Sequence, residues 1–121
     1  MDEEEVIAFI RAHIGSLYAL ELLLLIKRGR GKTWQSAELV RELRSSRTAV
    51  AEALNRLLKA GLVAENPSGG YTYAPTSAEQ ERLADAIEQA YASRPISVVR
   101  AIVAAPDEKL RAFSDAFKLK E

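Results

Sequence analysis

The sequence predicts a mainly α domain that carries one small β-hairpin, with two short helices and a tight turn at its centre. Three observations predict it. The stretch from Leu17 to Ile26 is apolar except at Glu21, which describes a helix buried on most sides. Residues 36–43 and 47–58 each repeat apolar side chains at helical spacing and are separated only by Arg44-Ser45-Ser46. Finally, Asn66-Pro-Ser-Gly-Gly70 is strong turn chemistry between Leu62-Val-Ala-Glu65 and Tyr71-Thr-Tyr73, two segments with strand character.

Each element has its own local reason. Val6, Ile7, Ile10 and Ile14 follow an acidic first turn, so residues 3–14 read as an amphipathic helix ended by Gly15. The leucine-rich helix after it is closed by the glycines of Lys27-Arg-Gly-Arg-Gly-Lys32. Thr33 and Trp34 read as a very short strand. Ser36 is a suitable N-cap for a helix that turns Leu39, Val40 and Leu43 inward. In the helix that follows, Leu54, Leu57 and Leu58 sit on one side, and Gly61 stands where a left-handed C-cap is needed. After the hairpin, Thr76 or Ser77 caps a helix with Leu83, Ile87, Ala90 and Tyr91 on one face. Pro95 and Pro106 read as first-turn prolines of two more helices, one burying Ile96, Val99, Ile102 and Val103, the other Leu110, Phe113 and Phe117.

With 121 residues and 48% hydrophobic side chains, the chain suits one domain with a single core over residues 1–121. It has no cysteine, which excludes a disulfide framework, a thiolate nucleophile and a cysteine-ligated metal, and suits the cytoplasm. The apolar run at residues 22–26 falls far short of the roughly 20 residues that cross a bilayer, so no membrane partner is expected. Net charge is zero, but it is unevenly spread. Residues 1–15 carry Arg11 against Asp2, Glu3, Glu4 and Glu5, a balance of −3; residues 27–59 carry nine Lys or Arg against Glu38, Glu42 and Glu52, a balance of +6. A polyanion is expected to bind that middle segment.

Helix, short strand, helix, turn, helix, strand, turn, strand is the order of a winged helix. Ser36-Ala-Glu-Leu-Val-Arg-Glu-Leu43, then Ser46-Arg-Thr-Ala-Val-Ala-Glu-Ala-Leu-Asn-Arg-Leu57, then Ala60-Gly-Leu-Val63 closely resembles the core of bacterial winged-helix transcription regulators of the MarR-like and related types. The resemblance covers about residues 16–75 and leaves 1–15 and 76–121 as flanking helices. It implies a regulator that is not an enzyme, uses no cofactor and holds double-stranded DNA with the second of its paired helices in the major groove. Position by position, it puts Ser46, Arg47 and Thr48 at the leading end of that helix and Ala51, Glu52 and Asn55 along its exposed side. Arg47 is suited to guanine and Asn55 to adenine, while Thr48 can meet a base or a thymine methyl. Ser36, Arg41, Arg44, Arg56 and Lys59 are placed for phosphates, which position without reading sequence. Wings commonly carry Arg or Lys at the tip; Asn66-Pro-Ser-Gly-Gly70 has neither, leaving Ser68 and backbone amides for that role.

Other motifs resolve into simpler readings. Gly31-Lys32-Thr33 lacks the glycine that a phosphate-binding loop needs five positions before Gly31, where Ile26 stands, so it reads as a basic surface loop. His13 is the sole histidine, which rules out a histidine metal cluster or a Ser-His-Asp arrangement. Glu79, Glu81, Asp85 and Glu88 read as solvated charges on a helix face. The two flanks each have an apolar face to bury, and an isologous two-fold interface would cover them in a homodimer. A second reading keeps the fold but makes it a module that binds a protein partner; neutral net charge and the uncharged hairpin turn favour it.

Overall fold

A computed structural model of the chain describes residues 2–103. The Asp2 side chain accepts from the Glu5 N–H at 2.8 Å and opens α1 (Glu3–Phe9). The helix continues through Ile10–Ile14 with π geometry, and the Gly15 N–H reaches back five residues to Ile10 O at 2.8 Å. A 3.6-residue periodicity predicts the helix but not this wider turn. Gly15, at φ 75°, then ends it, and the axis bends by 103° into α2 (Leu17–Arg28).

Ser16 caps α2 by accepting from the Ala19 N–H at 3.0 Å. Leu20, Leu22, Leu23, Leu24 and Ile26 are buried and Glu21 is exposed, as the sequence predicts. Each such aliphatic side chain contributes about 1.5–3 kcal/mol on burial, so α2 is the helix around which the others assemble. Its surprise is Lys27, which is only 6% exposed.

Residues 33–34 make a single bridge instead of a strand: Trp34 and Tyr71 exchange two N–H···O bonds, each 2.8 Å. α3 (Ser36–Leu43) starts one residue earlier than expected for its cap. Gln35 is the N-cap, because its N–H donates to Glu38 Oε1 at 3.0 Å, and Ser36 is already in the first turn. α4 (Arg47–Lys59) is capped by Ser46 Oγ, which accepts from the Ala49 N–H at 3.1 Å.

Both paired helices end in the same hydrogen-bond pattern. For α4, the Leu62 N–H donates to Leu57 O and the Gly61 N–H to Leu58 O, both at 3.1 Å, with Gly61 at φ 75°. For α3, the Ser45 N–H donates to Val40 O and the Arg44 N–H to Arg41 O, with Arg44 in the left-handed position. Glycine meets that requirement without strain, and arginine does not.

β1 (Val63–Glu65) pairs antiparallel with β2 (Tyr71–Tyr73) in the register Val63 to Tyr73. The connecting turn is closed by the Asn66 N–H to Gly70 O at 2.7 Å and the Gly69 N–H to Asn66 O at 2.8 Å. α5 (Ala78–Ser93) is capped by Ser77, and Gln80 Nε2 donates to Ala60 O at 2.6 Å, stitching it to the end of α4. Arg94 pairs with Glu3 at 2.6 Å and holds the end of α5 to α1.

Residues 95–103 are helical, as Pro95 suggests, but they bury a different stripe. Val98, Ala101 and Ile102 are buried, whereas Ile96 is 68% and Val103 53% exposed. Of the expected Ile96, Val99, Ile102 and Val103, Ile102 is buried and Val99 partly so, while Val98 and Ala101 take the other buried places. The expected helix with Leu110, Phe113 and Phe117 lies outside the described residues. Among the described residues, no single helix is long and apolar enough to cross a membrane.

Candidate nucleic-acid interface

α4 is held to the core by Val50, Ala53, Leu54 and Leu57, all buried. At 100° per residue, the opposite side carries Thr48, Glu52, Asn55 and Lys59. Arg47 and Ala51 lie on one edge of that side. Arg56 lies on the other, against the N-terminal segment, where its guanidinium covers Gly15 so closely that a Cβ there would overlap it.

Ser36 and Arg41 on α3, Arg44 in the turn, and Ser46, Arg47, Thr48, Ala51, Glu52, Asn55, Arg56 and Lys59 are all exposed. These eleven residues share the α3–turn–α4 unit. Ser68 is exposed too but stands apart, in the β1–β2 turn and on neither helix. Ser46 is partly committed: its Oγ accepts the capping bond, which leaves its O–H proton and one lone pair for an outside partner.

The nine cations of residues 27–59 divide into two groups. Lys27 Nζ lies 2.9 Å from Asp85 and 2.7 Å from Glu88, and Arg28 Nε lies 3.3 Å from Glu88. Lys32 pairs with Glu38 at 3.1 Å and sits 4.0 Å from the centre of the Trp34 ring; Arg30 lies 5.3 Å from that of Tyr73. Burial alone would lower the Lys27 pKa, but the bonds to Glu88 and Asp85 outweigh it and raise it above 10.5. The same ammonium holds the Glu88 carboxyl below its ordinary 4.5 against the opposing effect of burial. Asp85, 56% exposed as the solvated-charge reading expects, and the less exposed Glu88 also serve as partners of a buried lysine, which their spacing does not reveal.

Among the described residues, Arg41, Arg44, Arg47, Arg56 and Lys59 form no ion pair, hydrogen bond or ring contact. Each cation of the basic loop thus has a carboxylate or an aromatic ring against it, and the cations without such a contact lie on α3, the turn and α4. Strain points the same way. Arg44 holds φ 50° and ψ 53° at a cost of roughly 1 kcal/mol, a kind of outlier that gathers at functional sites.

Sequence reasoning missed the neighbourhood of α4 on its N-terminal side. Ala12 and His13 share an open cavity with Glu52, Asn55, Arg56 and Lys59. More than 35 residues separate the two sides along the chain, so no local spacing could signal it. Among the described residues, no group of three His, Asp or Glu is arranged to hold a metal.

No family model matches the sequence, and a search of curated proteins finds no match. The crystal structure of a MarR family protein from Mycobacterium tuberculosis is similar over 98% of this chain and 84% of that one, with 27% identity and a TM-score of 0.51. The likeness extends well beyond residues 16–75, into both flanks. Taken with the paired helices, the hairpin and the flanking helices of the structure, it shows that this chain has a MarR-like winged-helix fold.

Proposed function

We propose that this protein is a sequence-specific transcription regulator that binds double-stranded DNA as a homodimer, with α4 in the major groove. The observation that carries this reading is the set of five unpaired cations on α3, the turn and α4, beside exposed Thr48 and Asn55. Arg47 and Asn55 present the donor and acceptor groups that read guanine and adenine; Arg41, Arg44, Arg56 and Lys59 meet phosphates. Two copies related by a two-fold axis would place their α4 helices in successive major grooves, roughly 34–36 Å apart. The exposed Ile96 and Val103 on a flanking helix favour a second copy as their cover. A mobility-shift selection from genomic fragments at moderate salt tests the proposal. Enrichment of a two-fold-related sequence supports it, and absence of any preference removes it.

One observation favours a second reading, a winged helix that binds another protein. The β1–β2 turn carries no cation. Affinity capture of the tagged protein from its native cell separates the two. A stoichiometric protein partner with no DNA favours the module; DNA with no such partner favours the regulator.

A further inference from the structure

The open cavity between the Ile10–Ile14 segment and α4 has a volume of about 450 Å³ and is lined by His13, Glu52, Asn55, Arg56 and Lys59. Glu52 and Arg56 are four apart on one helix, the spacing that favours an ion pair, yet they form none. The Arg56 guanidinium lies over Gly15 instead, and Lys59 is also without a carboxylate partner among the described residues. The cavity therefore joins two unpaired cations, the Asn55 amide and the chain's sole histidine, with one carboxylate among them. Its net charge is +1 while His13 is neutral and +2 when the imidazole is protonated.

We propose that this cavity holds a phosphate group, taken from the DNA backbone beside the groove that α4 occupies, and that His13 contributes a donor to it from the N-terminal segment. The inference rests on the DNA-binding reading above and extends it to a residue outside the winged-helix core. Arg56 and Lys59 supply N–H groups from the helix, and the imidazole supplies one from the opposite wall. Glu52 offsets one positive charge, so the affinity of the cavity for an anion depends on the imidazole, the side chain that changes charge between pH 5 and 8. The charged groups that line the cavity with His13 are Glu52, Arg56 and Lys59, all from α4. Phosphate binding and imidazole protonation are then linked, and DNA affinity rises as pH falls through this range.

A single histidine makes the test clean, because its ring resonances in the full-length protein assign themselves. At fixed pH, inorganic phosphate and a random-sequence duplex long enough for two half-sites are titrated separately against the protein. Duplex affinity is measured in parallel by fluorescence anisotropy. We expect the duplex to shift the His13 ring resonances and to bind about threefold more tightly near pH 6 than near pH 8. His13→Gln should remove that preference, and Lys59→Gln should shrink the resonance shift. A shift with the duplex but not with inorganic phosphate identifies the DNA backbone as the source. If duplex binds while the ring is unmoved and the affinity is the same at both pH values, the phosphate site is overturned and the regulator reading stands. If no duplex binds but inorganic phosphate moves the ring, the site takes free phosphate and the regulator reading falls. If neither moves it and no duplex binds, both fall.

Discussion

Two basic regions lie within 33 residues of each other and are used in opposite ways. In the loop and helix end formed by Lys27, Arg28, Arg30 and Lys32, every cation has an internal partner: Asp85, Glu88 or Glu38, or the ring of Tyr73 or Trp34. In α3, the turn and α4, no cation makes a direct ion pair, hydrogen bond or ring contact among the described residues. The two regions look alike in a tally of charges. They differ in whether a carboxylate or an aromatic ring directly contacts each charge, and that difference separates cations that hold a fold together from those free to meet a polyanion.

The difference can be broken or sharpened experimentally, beginning with the largest effect. If Arg41 and Arg44 each neutralise one phosphate and Arg56 and Lys59 share a third, log affinity falls with log salt at a slope of about −2.7 per protomer, a loss of roughly 40-fold over a fourfold rise in salt. A slope near zero in a salt titration would place the unpaired cations away from DNA. Next comes Lys27→Ala, which strips a buried ammonium from two carboxylates. We expect a loss of about 2 kcal/mol in urea denaturation, with DNA affinity of the folded protein unchanged. Arg47→Ala should do the reverse, leaving stability within about 0.5 kcal/mol and costing 1–3 kcal/mol of preference at one base position, as read by competition with mismatched sites. Arg44→Gly relieves the left-handed strain and should raise stability by up to about 1 kcal/mol while weakening binding to every sequence alike.

The acid limb of stability probes the structural group by itself. The Lys27 ammonium keeps the Glu88 carboxyl below its ordinary 4.5, so this interaction stabilises the fold fully above that value. It is lost as pH falls through the lower, folded-state value. Denaturation midpoints should therefore drop from about pH 4.5 downward, and Glu88→Gln should blunt that part of the drop. An unchanged acid limb in the variant would show that Glu88 is not held by Lys27.

Local chemistry made most of the fold legible. Ser16, Ser46 and Ser77 each precede an apolar-periodic stretch, and each caps its helix. Gly61 announces the end of α4, and the glycines at 69 and 70 announce the hairpin. What the sequence hides is non-local. Lys27 meets Asp85 and Glu88 from about 60 residues away, and no periodicity within α2 or α5 reveals that a lysine at the end of a leucine-rich helix is buried. The π turn at Ile10–Ile14 and the shifted buried face of residues 95–103 are equally tertiary, set by what packs against them. For the interface, helical spacing placed the exposed face of α4 correctly. It gave no sign that Arg56 lies over Gly15 or that His13 borders the same cavity.

The central claim, that unpaired cations on α3, the turn and α4 form the DNA interface, is tested most directly by removing equal charge from each basic region. Arg44→Ala, Arg47→Ala and Lys59→Ala combined, and Arg28→Ala, Arg30→Ala and Lys32→Ala combined, each take three positive charges from the protein. Duplex affinity of both triple variants against salt is the measurement. The first should lose the measurable preference among sequences, with its salt slope smaller in magnitude by about 1–2; the second should stay within a fewfold of the unaltered protein. Equal losses in the two, or a greater loss in the second, would contradict the claim.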